Sequence, residues 1–274
     1  LSWAAGDAQA KGFLIGATSG RTTLNGEGLQ HQDGHSHILS STIPNCLSYD
    51  PAFAYEVAVI VKNGIKEMFV EQKNYFYYIT TINENYSHPQ MPEGSESGII
   101  KGMYKLKGEE NAQIRLLGSG AILREAIKAK ELLEKFNIKA EVWSVTSFNL
   151  LRKDGMEVER LNQLNPRIDP SLSYVEQCFS DNDIPVIAAT DYMRSYSEQI
   201  RPYIKSTFFT LGTDGYGRSD SRETLRDFFE VDSKSISRAA VYALYKTKII
   251  SEDQIIDIYK TLKVDSSKPN PWEV

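Results

Sequence analysis

Short apolar runs alternate with helix-period segments along most of this 274-residue chain, and that alternation constrains the fold more than any other feature. Gly12–Ala17, Cys46–Tyr49 and Phe76–Ile82 read as buried strands. They are rich in aliphatic, aromatic and β-branched residues and end at glycine, proline or aspartate. Ala52–Lys66 carries apolar residues at helical spacing, and Trp3–Ala10 reads as the end of a helix. Then the pattern stops. Residues 83–98 hold two prolines and several turn formers with no period, as a linker or domain crossing does. Ile99–Leu106 is transitional, and Lys107–Asn111 is polar.

The alternation resumes with strands at Ile114–Gly120, Ala140–Val145, Pro185–Thr190 and Ser206–Gly212. Helices are expected at Ala121–Phe136, Asn149–Asn165, Tyr174–Phe179 and Ser195–Ile204. Three more helices follow at Ser221–Phe229, Ser233–Lys246 and Ser251–Leu262, with Ser233 and Ser251 as candidate N-caps. Strand–helix–strand units of this kind imply an α/β fold of two mostly parallel sheets covered by helices. The boundaries that follow are 1–87, a crossing at 88–111, and 112–274.

Composition excludes several classes. The net charge of -5 gives no electrostatic reason to bind nucleic acid or an anionic membrane. No apolar run approaches the roughly 20 residues that span a bilayer. No signal peptide stands at the start, and Cys46 and Cys178 lack metal-type spacing. A cytoplasmic protein with reduced thiols is expected. Because Leu1-Ser2-Trp3 begins mid-pattern, the chain reads as a piece of a longer one.

In a parallel sheet the chemistry gathers where strands end in loops, here 18–37, 118–120, 190–193 and 212–220. The first loop stands out. Three of the four histidines, His31, His35 and His37, fall within seven positions among glycines, acids and hydroxyls. Alternating His31, Asp33, His35 and His37 could ligate zinc from one face of an extended strand, which would make a metal-dependent hydrolase. Gly34 favours a turn instead. Alternatively, His31 near Glu27 could move protons or hold a substrate anion. The 213–220 loop could bind an anion through Arg218, or be a turn with Arg218 paired to Asp214 or Asp220. Gly118-Ser119-Gly120 is shaped like a phosphate turn or a plain one.

Specific blocks then carry a resemblance. Gly12-Phe13-Leu14-Ile15-Gly16, the run Thr18–His31 with Gly26-Glu27-Gly28-Leu29-Gln30-His31, Ile43-Pro44-Asn45-Cys46 and Asn83-Glu84-Asn85-Tyr86 resemble the homodimeric bacterial pyruvate dehydrogenase E1 family. So do Met91-Pro92-Glu93-Gly94, Thr190-Asp191-Tyr192-Met193 and the run Leu211–Arg222. The resemblance implies the end of a transketolase-like pyrimidine-binding domain followed by a transketolase-like C-terminal domain. It implies an enzyme that decarboxylates pyruvate on thiamine diphosphate and Mg²⁺ and reductively acetylates the lipoyl group of the dihydrolipoamide acetyltransferase component. It also places His31 at the substrate, as the catalytic residue, with Glu27 tuning it and Gln30 and His35 shaping the pocket.

The family's Gly-Asp-Gly…Asn motif for Mg²⁺ and diphosphate is missing, since Thr213-Asp214-Gly215 lacks the first glycine. The glutamate and aromatic residue that serve the aminopyrimidine are expected upstream of Leu1. No cofactor or metal ligand is therefore assigned here, and the chain alone is expected to be inactive. The competing reading is a non-catalytic structural module at a dimer interface.

Overall fold

The structure, a computed structural model, describes every residue except Thr18, where the expected loop begins. Two sheets form. In the first, β1 (Phe13–Ala17), β2 (Cys46–Tyr49) and β3 (Phe76–Thr81) are all parallel in the order β1-β3-β2. The second sheet has the order β4-β6-β5-β7-β8, from β4 (Met103–Lys107), β5 (Ile114–Gly118), β6 (Ala140–Val145), β7 (Val186–Ala189) and β8 (Phe208–Leu211). All its pairings are parallel except β4 with β6. β4 lies in the stretch read from sequence as transitional. Its Met-Tyr-Lys-Leu-Lys alternation is that of an edge strand with one wet face, as antiparallel edges allow.

The helices are α1 (Ser2–Asp7), α2 (Ser36–Ser40), α3 (Ala54–Ile65), α4 (Glu96–Lys101), α5 (Leu123–Glu134) and α6 (Phe148–Leu164). They continue with α7 (Tyr174–Cys178), α8 (Ser195–Glu198), α9 (Arg222–Phe228), α10 (Ser233–Lys246) and α11 (Glu252–Leu262). α8 is shorter than the expected Ser195–Ile204. Pro202 donates no N–H, and the segment ends in a 3-10 turn over Arg201–Tyr203. The N-cap of α10 is Asp232, which accepts from Ser235 N–H, rather than Ser233. Ser251 caps α11 as expected, by a reciprocal bond pair with Gln254.

Alternation along the central strands divides the second core into two layers. Ile114, Leu116, Val142 and Ile187 face one cluster with α5, α10 and α11. Leu117, Val145, Val186 and Ala188 face another, with Phe148 and Leu151 of α6. A third cluster joins Ile60 of α3 and Tyr77 and Ile79 of β3 to Ile99 and Tyr104, so the two sheets share packing.

Glu56 ties them further. It is fully buried, and its carboxylate accepts Ala52 N–H (2.6 Å), Phe53 N–H (3.0 Å), Tyr104 O–H (2.7 Å) and Ser144 O–H (2.6 Å). Burial pushes its pKa up, while these four donors hold it down. The aperiodic 83–92 stretch is strapped down as well. Glu84 bridges Arg124 and Arg226, and His88 Nδ1 accepts Ala54 N–H at 2.9 Å.

Candidate functional site

Three of the loops expected to gather do so at the carboxyl ends of β1, β7 and β8. Thr22 N–H donates to both oxygens of Asp191 (3.2 and 3.1 Å), and Arg21 N–H to its carbonyl (3.3 Å). Met193 N–H donates to Gly34 O at 3.1 Å, and Gly26 N–H to Asp220 O at 3.0 Å. Asp191 is buried, and burial raises its carboxyl to about 6, against the attraction of Arg226 and the Thr22 donors. Gly20 (φ +81°) is needed here, because a Cβ would collide with that carboxylate.

The histidines diverge into three environments. His31 sits on a 3-10 turn over Leu29–His31, and its Nδ1–H donates to Glu27 Oε2 at 3.0 Å. This pair faces solvent, with 61% and 53% of the two side chains exposed. Gln30 is exposed beside it. His35 is also exposed, and its Nε2 accepts from the Arg21 guanidinium at 3.1 Å. Gly34 is required for that approach, since a Cβ would strike the Arg21 side chain.

His37, by contrast, is fully buried, stacked on Tyr196 (4.8 Å) and edge-on to Tyr192 (4.6 Å). Its Nε2 lies 3.1 Å from Thr80 Oγ1, and burial lowers its pKa to about 3. Asp33 is spent on the start of α2, accepting His35 N–H (3.0 Å) and Ser36 N–H (2.9 Å). The zinc reading of His31, Asp33, His35 and His37 therefore has no geometry behind it. The chain turns instead of extending. Among the described residues no three His, Cys, Asp or Glu side chains gather as a metal site would need.

Two further loops are accounted for structurally. Gly118-Ser119-Gly120 closes on Asp50: Gly120 N–H donates to the Asp50 carbonyl at 3.1 Å, and the carboxylate lies against Gly120. Arg218 pairs with neither Asp214 nor Asp220. It donates to Val274 O and lies over the Phe228 ring at 5.2 Å, while Asp214 pairs with Arg194 at 3.4 Å. Asp214 thus joins a structural turn, and nothing in this loop fits a diphosphate–Mg²⁺ site.

Sequence reasoning missed the buried polar layer beneath the loop. Thr80 Oγ1 donates to Asp50 Oδ1 at 2.8 Å, and burial lifts Asp50 to about 7. Among the described residues, Asp50 Oδ2, His37 Nδ1, Tyr192 O–H and Tyr196 O–H are buried with no hydrogen-bond partner of good geometry. Asp191 and Tyr192 left a trace in the sequence inside the Thr190-Asp191-Tyr192-Met193 block, and His37 in the histidine cluster, but nothing there marks them as parts of one buried layer.

Comparison with known proteins agrees with this architecture. The family model described as the pyruvate dehydrogenase E1 component middle domain matches residues 1–89, and the transketolase-like C-terminal domain model matches 102–232. The pyruvate dehydrogenase E1 component of Pseudomonas aeruginosa is 55% identical over 278 residues, covering 100% of this chain and 32% of its own length. That of Escherichia coli K12 is 54% identical, covering 99% and 31%. A transketolase mutant structure from Pichia stipitis superposes with a TM-score of 0.63 at 19% identity, over 86% of this chain and 30% of that one, which shows the fold. The chain spans about a third of the length of the curated relatives it matches. Middle-domain strands, a strapped crossing and a transketolase-like C-terminal sheet, matched in order by relatives at about half identity, place this chain in the pyruvate dehydrogenase E1 component family.

Proposed function

We propose that this chain supplies the substrate-side face of a pyruvate dehydrogenase active site, with His31 as its catalytic residue. The observation that carries the reading is the exposed His31–Glu27 pair, raised on a loop that the C-terminal sheet grips from below. An imidazole fixed to a carboxylate through Nδ1 keeps Nε2 free toward solvent. There it can take up a proton and, once protonated, hold a substrate carboxylate or pass the proton on. Gln30 and His35 flank that position.

Thiamine diphosphate, bound by other parts of the enzyme, supplies the carbanion-stabilising chemistry for pyruvate decarboxylation. No diphosphate or Mg²⁺ site is assigned among the described residues, so on this reading the cofactor, its metal and the lipoyl group of the acetyltransferase component meet His31 from outside the chain. A homodimer is the natural assembly for such a shared site.

The assay is direct. These 274 residues, given thiamine diphosphate, Mg²⁺ and pyruvate, should release no CO₂, whereas the full-length enzyme should. Turnover by the 274-residue chain would overturn the assignment of the cofactor to other parts of the enzyme.

A further inference from the structure

We propose that Gln32 is a positioning residue for His31, clamping the catalytic turn onto the loop that follows β8. The proposal rests on the catalytic reading of His31. Gln32 is 6% exposed, although its neighbour His31 faces solvent. Both ends of its amide engage one backbone unit: Nε2–H donates to Arg218 O, and Oε1 accepts Arg218 N–H at 2.8 Å. A two-point bond of this kind fixes tilt as well as distance.

The partner loop is shaped to receive it. At Gly217 a Cβ would lie 2.7 Å from Gln32 Oε1 and 3.0 Å from Leu29 O, so a larger residue would push the turn away. The other flank of the turn is fixed to the same loop. Gly26 N–H donates to Asp220 O (3.0 Å), and Ser219 O–H to Gly26 O (3.2 Å). Arg222 Nε–H reaches Thr23 O at 2.8 Å.

Residues 27–31 are thus suspended between two anchors on one C-terminal loop. The His31–Glu27 contact is solvent-exposed, and such pairs do little to order a segment by themselves. The anchors must supply the order that an oriented imidazole needs. This gives residues 217–222 a role in the reaction without any contact to reacting atoms.

Gln32→Ala and, independently, Gly217→Ala in the full-length enzyme test it. Backbone amides of 27–33 should exchange hydrogen about tenfold faster in both variants, with protection elsewhere unchanged. In Gln32→Ala, kcat should fall about tenfold with KM within about twofold. In a His31→Ala background, the same substitution should change kcat by less than about twofold, because a residue that acts through His31 has nothing left to position.

Unchanged exchange in both variants, exchange that rises across the whole chain in both, or an equal fold-loss in both backgrounds would overturn the proposal. Wild-type turnover of His31→Ala alone would instead sink the catalytic reading of His31, leaving the exchange result to decide whether Gln32 orders the turn.

Discussion

At the scale of single residues, the buried layer under the loop carries a pH signature. Asp50 ionises near 3.8 when exposed but is held to about 7 in the fold. Between those values the unfolded chain has lost the proton that the folded one keeps, so stability falls as pH rises and levels off above about 7. Asp191 acts in the same sense up to about 6. His37 opposes them: below 6.5 the unfolded imidazole takes a proton that the folded one refuses down to about 3, so its contribution falls with falling pH. Asp50→Asn removes one term. The melting temperature of the variant relative to the parent should therefore rise between pH 4.5 and pH 7.5, read by thermal unfolding at both values. A constant offset would contradict the assignment. The sequence singles out His37 only as a member of a histidine cluster, and Asp50 and Thr80 read there as ordinary polar residues of strands and their ends, so the buried layer they form is not legible. Which polar side chain the two sheets enclose depends on their mutual packing, and no local pattern encodes it.

At the scale of elements, the strand–helix alternation made most of the fold readable, because strands buried on both faces read as short apolar runs while helices buried on one face show a period of 3.6. It failed where burial is set by something else. β4 is an edge strand whose register comes from β6, and α8 stops at a proline turn. Gly34 and Gly217 read in the sequence only as turn residues, yet each sits where another side chain presses against the backbone. Glu56 joins elements that sequence analysis places in different domains. Glu56→Ala would strand two backbone N–H groups and Ser144 O–H, and leave Tyr104 O–H with Tyr55 alone, at a cost of about 3 kcal/mol or more. Chemical denaturation should show that loss, with α3 and β4 losing hydrogen-exchange protection together. A loss below about 0.5 kcal/mol would mean that the four bonds do not hold the sheets together.

At the scale of the whole molecule, the β1 side of the first sheet is left open on both faces. β1 pairs with β3 on one side, and Leu14 and Ile15, pointing to opposite faces of the sheet, are 47% and 54% exposed. Parallel strands are normally covered on both faces. Trp3, Phe69 and Val70 add further exposed apolar surface. The 274-residue chain should therefore self-associate at micromolar concentration, and Leu14→Glu with Ile15→Glu should reduce this. Sedimentation velocity reads the outcome, and a monomer at tens of micromolar would contradict it. No helix among the described residues is long and apolar enough to cross a membrane.

The same scale holds the functional claim, that an exposed histidine on this chain acts on substrate at a cofactor held elsewhere. The most direct measurement is overall turnover of the full-length enzyme carrying His31→Ala, alongside its melting temperature. The account predicts turnover lowered by about a hundredfold or more with the melting temperature unchanged, since an exposed imidazole contributes little to the fold. Parental turnover in that variant would contradict it.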